Sequence, residues 1–229
     1  MSLCLVANWK LNGSREFNLQ WTLDFLRNFN GNNFSSLGIA PASLYIDHLK
    51  AALADHEIKI GSQNIALEET GACTGEISAS MIKDLGCEFS IVGHSERRML
   101  FHETNQMIGQ KLIQANNNSV IPIVCIGESA EENKSNSTYK VLEQQIIEAL
   151  ENVNKLNSLI IAYEPIWAIG SGKTPIPKEI NSVHEMIKDV VQSRFPKVDL
   201  ESVLYGGSVS RKNASSFFEQ KNIDGALIG

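Results

Sequence analysis

Short apolar runs alternate with longer amphipathic stretches along the whole chain. The runs cover residues 3–7, 37–40, 58–61, 89–93, 120–126, 159–163, 202–205 and 225–228. They are rich in apolar and β-branched residues and lack polar alternation, as in strands buried on both faces of a parallel sheet. Helical spacing appears between them. Over residues 181–194, Val183, Met186, Ile187, Val190 and Val191 fall at helix-face intervals. Over residues 141–150, Val141, Leu142, Ile146, Ala149 and Leu150 form a similar face, interrupted by Gln145. Breakers mark the joins: Asn12-Gly13, Asn116-Asn117-Asn118 and Gly206-Gly207.

Eight strands alternating with seven helical stretches imply either a closed barrel or a doubly wound open sheet. Pattern alone leaves both open. Polar motifs follow several different strands, which favours the α/β (β/α)8 barrel, the TIM barrel, because its eight parallel strands direct all their C-terminal ends to one mouth. No linker, low-complexity tract or repeat divides the chain, so residues 1–229 read as a single domain.

Composition narrows the function classes. A net charge of -6 argues against a nucleic-acid surface. It does not exclude a small anionic substrate, which a few backbone N–H groups and one lysine can hold. No run reaches the length of a membrane span, and the opening residues are too short for a signal peptide. Cys4, Cys73, Cys87 and Cys125 show neither metal-ligand spacing nor a CxxC pair. Cys4 and Cys125 lie in apolar runs and read as buried small hydrophobes. The reading is a reduced, cytoplasmic protein with no metal, no cofactor, no nucleic acid and no membrane partner.

Four strand ends carry polar chemistry. Lys10 follows the first run in Ala7-Asn8-Trp9-Lys10. An isolated lysine there is ordinarily a surface group; the alternative is a fixed positive charge inside the mouth. His94 stands between a buried run and a helix start, with Ser95 as a candidate cap. A helix N-terminus disfavours positive charge, so the imidazole stays neutral and can donate to a carbonyl oxygen. His48, His56, His102 and His184 lie in helix-like stretches and read as structural or surface residues. Glu164 ends another apolar run and is a candidate base. The loop after it, Pro165-Ile166-Trp167-Ala168-Ile169-Gly170-Ser171-Gly172-Lys173, starts stiff and apolar and ends permissive. That composition suits a lid moving as a unit, or a static loop. Gly206-Gly207-Ser208 lets the backbone approach an anion, although most such triplets are plain turns.

These stretches, in this order, resemble the triosephosphate isomerase family. The resemblance rests on Asn8-Trp9-Lys10, Gly93-His94-Ser95-Glu96-Arg97-Arg98, Tyr163-Glu164-Pro165-Ile166-Trp167-Ala168-Ile169-Gly170 and Tyr205-Gly206-Gly207-Ser208. Gln63-Asn64, Gly71-Ala72-Cys73-Thr74-Gly75-Glu76 and Val124-Cys125-Ile126-Gly127-Glu128 extend it across the chain. The resemblance implies a TIM barrel that interconverts dihydroxyacetone phosphate and D-glyceraldehyde 3-phosphate through an enediolate. It implies Glu164 as base, His94 as neutral electrophile and Lys10, oriented by Asn8, as the positive charge. Glu96 would support the site, Ser95 would hold Glu164 while the lid is open, and Cys125 would lie beneath. Gly170, Ser208 and Gly229 would bind phosphate, and residues 165–173 would be the lid. A homodimer is implied, with the loop over residues 65–79 entering the partner and Thr74 reaching its site.

The chain stops at Gly229, directly after the eighth run, where the family pattern continues into a final helix. A barrel lacking that helix is therefore expected. Two other functions stay open on the fold alone: another phosphate-binding barrel enzyme, such as an aldolase, and a barrel that has lost catalysis. A Schiff-base aldolase needs a buried lysine on a central strand, and among these motifs Lys10 is the only lysine at a strand end.

Overall fold

The apolar runs form strands because each meets a neighbour on both edges and packing on both faces. The computed structural model describes residues 3–29, 34–169 and 175–229. In chain order the elements are β1 (Leu3–Asn8), α1 (Arg15–Asn28), β2 (Phe34–Ala40), α2 (Ile46–Ala52), β3 (Lys59–Ser62), α3 (Ala79–Asp84), β4 (Phe89–Val92), α4 (Ser95–Phe101) and α5 (Asn105–Asn117). They continue with β5 (Ile121–Ile126), α6 (Ala130–Lys134), α7 (Thr138–Leu150), β6 (Leu156–Tyr163), α8 (Pro177–Arg194), β7 (Val198–Tyr205), α9 (Ala214–Phe218) and β8 (Gly225–Ile228). Every strand pair is parallel, and β8 pairs back onto β1, with Cys4 beside Gly225 and Ala7 beside Ile228. The barrel is closed, which settles the choice against an open sheet.

All eight apolar runs overlap strands, but β2, β6 and β7 begin several residues earlier. In β7, exposed Asp199 and Glu201 alternate with partly buried Val198 and Leu200, so its first half offers no continuous apolar run. The helix count also differs. The connections after β4 and β5 each hold two helices, giving nine α-helices among the described residues. After β8 these residues include Gly229 and no helix.

The core has two shells, set by the two-residue period of the strands. Ile123 and Cys125 of β5 point into the barrel with Val6, Ile91, Ala162 and Leu204. Val124 and Ile126 of the same strand point outward against the helices. Phe89 fills the barrel interior across two glycines: a Cβ at Gly38 or Gly61 would come within 2.7 or 2.5 Å of its ring. Helix starts are capped locally, as where Ser14 Oγ accepts from Phe17 N at 3.0 Å and Ser129 and Glu132 form a reciprocal capping box. No helix among the described residues is long and apolar enough to cross a membrane.

Candidate active site

Closing the barrel gathers the C-terminal ends of β1, β4, β6, β7 and β8 around one cavity of about 320 Å³. Asn8, Lys10, His94, Glu164, Gly206, Gly207, Ser208 and Gly229 all line it. Residues far apart in the chain are thus brought together because each ends, or lies within three residues after, a strand of the same barrel.

Glu164 is only 2% exposed. Its Oε2 accepts from Ser95 N at 2.9 Å, and its Oε1 lies 2.9 Å from His94 Nε2. Room for it is made by glycine. A Cβ at Gly206 would sit 2.8 Å from Glu164 Cγ, and one at Gly127 would lie 1.9 Å from the Glu164 carbonyl oxygen. Beneath the carboxylate, burial pushes the Cys125 thiol well above its usual range, and the charge of Glu164 pushes it further. Cys125 therefore stays a neutral thiol and serves as packing.

His94, not Ser95, caps α4, contrary to the sequence expectation. Its Nδ1 accepts from Glu96 N at 3.3 Å, while Ser95 is already the first helical residue. The imidazole ring thereby does what a serine hydroxyl does elsewhere. With Nδ1 accepting, Nε2 is the ring nitrogen left to donate, and it faces Glu164. Ser95 meets Glu164 through its backbone N–H.

Lys10 adopts a left-handed backbone conformation, φ 51°, which costs a side-chain-bearing residue about 1–2 kcal/mol. Two neighbours hold it there. Asn8 Oδ1 accepts from Lys10 N at 3.0 Å, and Gln63 Nε2 donates to the Lys10 carbonyl at 2.9 Å. Lys10 Nζ bonds Glu96 Oε1 at 2.7 Å, beside the cavity. The stem of Lys10 crosses Gly229, where a Cβ would come within 2.6 Å of Cε. Ser208 is exposed at the rim, its carbonyl accepting from Asn213 Nδ2 at 3.1 Å.

A family model described as triosephosphate isomerase matches residues 3–229. Relatives described by that same name include one from Nitrosococcus oceani, 40% identical over 228 residues, covering 98% of this chain and 91% of its own. Others come from Serratia proteamaculans, at 40% identity, and Salmonella typhimurium, at 39%, each covering 98% of this chain and 89% of its own. The chain belongs to the triosephosphate isomerase family.

Of the lid residues that this family resemblance implied, Pro165 through Ile169 are described; Gly170, Ser171, Gly172 and Lys173 lie outside the described residues. Ile166–Ala168 form a 3-10 turn. Trp167 Nε1 donates to Glu128 Oε1 at 2.8 Å, and Tyr163 Oη donates to the same oxygen at 3.1 Å. Thr74 is exposed, outside the cavity lining. Among the other histidines, His48, His56 and His102 are exposed, whereas His184 is fully buried.

Sequence alone gives no role to three residues around the site: Gln63, Glu128 and Arg98. Arg98 donates to the Gly93 carbonyl through Nε at 2.9 Å and to the Cys125 carbonyl through Nη2 at 3.0 Å. Their signal lay in the matching stretches Gln63-Asn64, Gly127-Glu128 and Arg97-Arg98, which by themselves do not say what the side chains touch.

Proposed function

We propose that this chain interconverts dihydroxyacetone phosphate and D-glyceraldehyde 3-phosphate by proton transfer. The observation that carries this reading is Glu164, a buried carboxylate, 2.9 Å from a histidine N–H in one cavity with Lys10.

Glu164 takes the proton from the carbon beside the carbonyl and returns it to the neighbouring carbon. His94 Nε2–H donates to the carbonyl oxygen as negative charge grows there, then exchanges its proton between the two oxygens. When substrate enters, that N–H passes from Glu164 to the substrate, freeing the base. Lys10, braced by Asn8 and Glu96, supplies positive charge to the phosphate and the enediolate. Backbone N–H groups of Gly170, Ser208 and Gly229 hold the phosphate. Closure over the site by residues 165–173 keeps water from the enediolate, which otherwise loses phosphate.

The active form on this reading is a homodimer. Leu11 is 99% exposed and Leu44 88% exposed, and Met81, Met99, Leu100 and Phe101 are also exposed. They follow β1, β2, β3 and β4 in turn, four neighbouring strands of the barrel, as does exposed Thr74. Exposed apolar side chains gathered on neighbouring segments support a protein contact there. The four cysteines are unpaired, which suits a reducing compartment, and residues 1–229 act as one cytoplasmic domain.

The test is a coupled assay of both directions with purified protein and no added metal or nicotinamide. Isomerase turnover that disappears in Glu164→Gln is expected. A folded wild-type protein without turnover would sink the proposal.

A further inference from the structure

The β4–β5 ladder ends at the pair Val92 and Val124. The next two residues, Gly93 and Cys125, are the ones whose carbonyls Arg98 bonds, at 2.9 and 3.0 Å. Its third nitrogen, Nη1, donates to Asn105 Oδ1 at 2.6 Å, and Asn105 Nδ2 in turn donates to Glu148 Oε2 at 2.9 Å. One planar guanidinium thus replaces the missing rung and is itself held from behind.

What hangs from those two carbonyls gives the rung its significance. Gly93, at φ 67°, turns the chain directly into His94. Cys125 underlies Glu164, and the following residue, Ile126, accepts the Glu164 backbone N–H at 2.7 Å. The separation of His94 and Glu164 is therefore set across the gap that Arg98 spans. We propose that Arg98 is a positioning residue for the proton transfer, fixing the distance between base and electrophile by tying Gly93 to Cys125 where the sheet lets go. This rests on the isomerase reading above.

The chemistry needs a fork. A lysine ammonium is a point donor that cannot serve two carbonyls and an amide in one plane. Burial lowers the proton affinity of the Arg98 guanidinium. Arg98 also leaves the substrate alone, since it does not line the cavity.

The experiment compares wild type, Arg98→Lys and Arg98→Ala in both reaction directions, with thermal unfolding measured alongside. In Arg98→Lys, kcat is expected to fall about 10²-fold, the scale of a displacement near 1 Å. KM is expected to stay within about threefold of wild type, because the phosphate grip is untouched. Millimolar guanidinium chloride is expected to restore at least about tenfold of the kcat lost in Arg98→Ala and to leave wild type unchanged. Asn105→Ala, which keeps both carbonyl bonds and removes only the outer anchor, gives a smaller loss of about 3–10-fold with KM unchanged. That variant decides the matter if Arg98→Ala does not fold. Wild-type kcat in Arg98→Lys overturns the proposal. So does a loss that guanidinium does not touch and that merely follows thermal stability. An inactive wild-type protein would instead overturn the isomerase reading, so the two failures are distinguishable.

Discussion

His94 Nε2 and Glu164 Oε1 stand 2.9 Å apart, and His94 Nδ1 is committed to capping α4. One helix start thus decides the tautomer, and the tautomer decides which nitrogen can polarise a carbonyl. A carboxylate anchored this closely has little freedom to compensate for a shorter side chain. Glu164→Asp draws the oxygens back by one methylene, and turnover is expected to fall at least roughly 10²-fold. Steady-state kcat checks this, and near-normal turnover would remove Glu164 from the base role.

Gly206 and Gly127 separate activity from stability. A Cβ at Gly206 meets Glu164 Cγ at 2.8 Å, so the side chain itself must move. Gly206→Ala is expected to lower kcat at least about tenfold, with stability reduced by about 1 kcal/mol. At Gly127 the nearest atom is a backbone carbonyl oxygen at 1.9 Å, which cannot swing away. Gly127→Ala is expected to destabilise by about 3 kcal/mol or more. Denaturant unfolding and kcat, measured on both variants, would expose the idea as wrong if the two showed the same pattern.

The strands were readable because burial on both faces leaves unbroken apolar runs, as in residues 121–126. The first half of β7 was not, because Asp199 and Glu201 face water there. Helices of five or six residues, such as α6 and α9, are too short to show a period. Lys10, His94 and Glu164 stood out as polar groups directly after apolar runs. Arg98 did not, since its meaning lies in a carbonyl 27 positions away and no side-chain pattern marks a carbonyl. Sequence offers Ser95 as the cap because serine is the common cap, and imidazole nitrogen does the same work only when its ring turns back on the helix.

Leu44 tests the dimer. At 88% exposure it touches little within its own protomer, so Leu44→Asp should be nearly silent in a lone barrel. Against a second copy, the same change buries a carboxylate in an apolar contact. Sedimentation at micromolar protein is expected to show wild-type dimer and a variant shifted toward monomer, with turnover falling in step. Wild type that sediments as an active monomer would end the dimer reading.

His184 should shape the acid limb of stability. It is fully buried, and its Nδ1 lies 3.3 Å from the Asn222 carbonyl. Burial pushes its pKa down to about 3, against an unfolded value near 6.5. Between those values the unfolded chain binds a proton that the folded chain refuses, so stability rises with pH through this window. It is fully present above about pH 6.5 and lost as pH falls toward 3, by up to about 1.4 kcal/mol per pH unit. His184→Gln removes the titration. The variant is expected to be less stable at pH 7, yet to lose about 1.6 kcal/mol less than wild type between pH 6.5 and 5. Urea unfolding at those two pH values measures the difference, and equal pH slopes in the two proteins would show that His184 does not carry it.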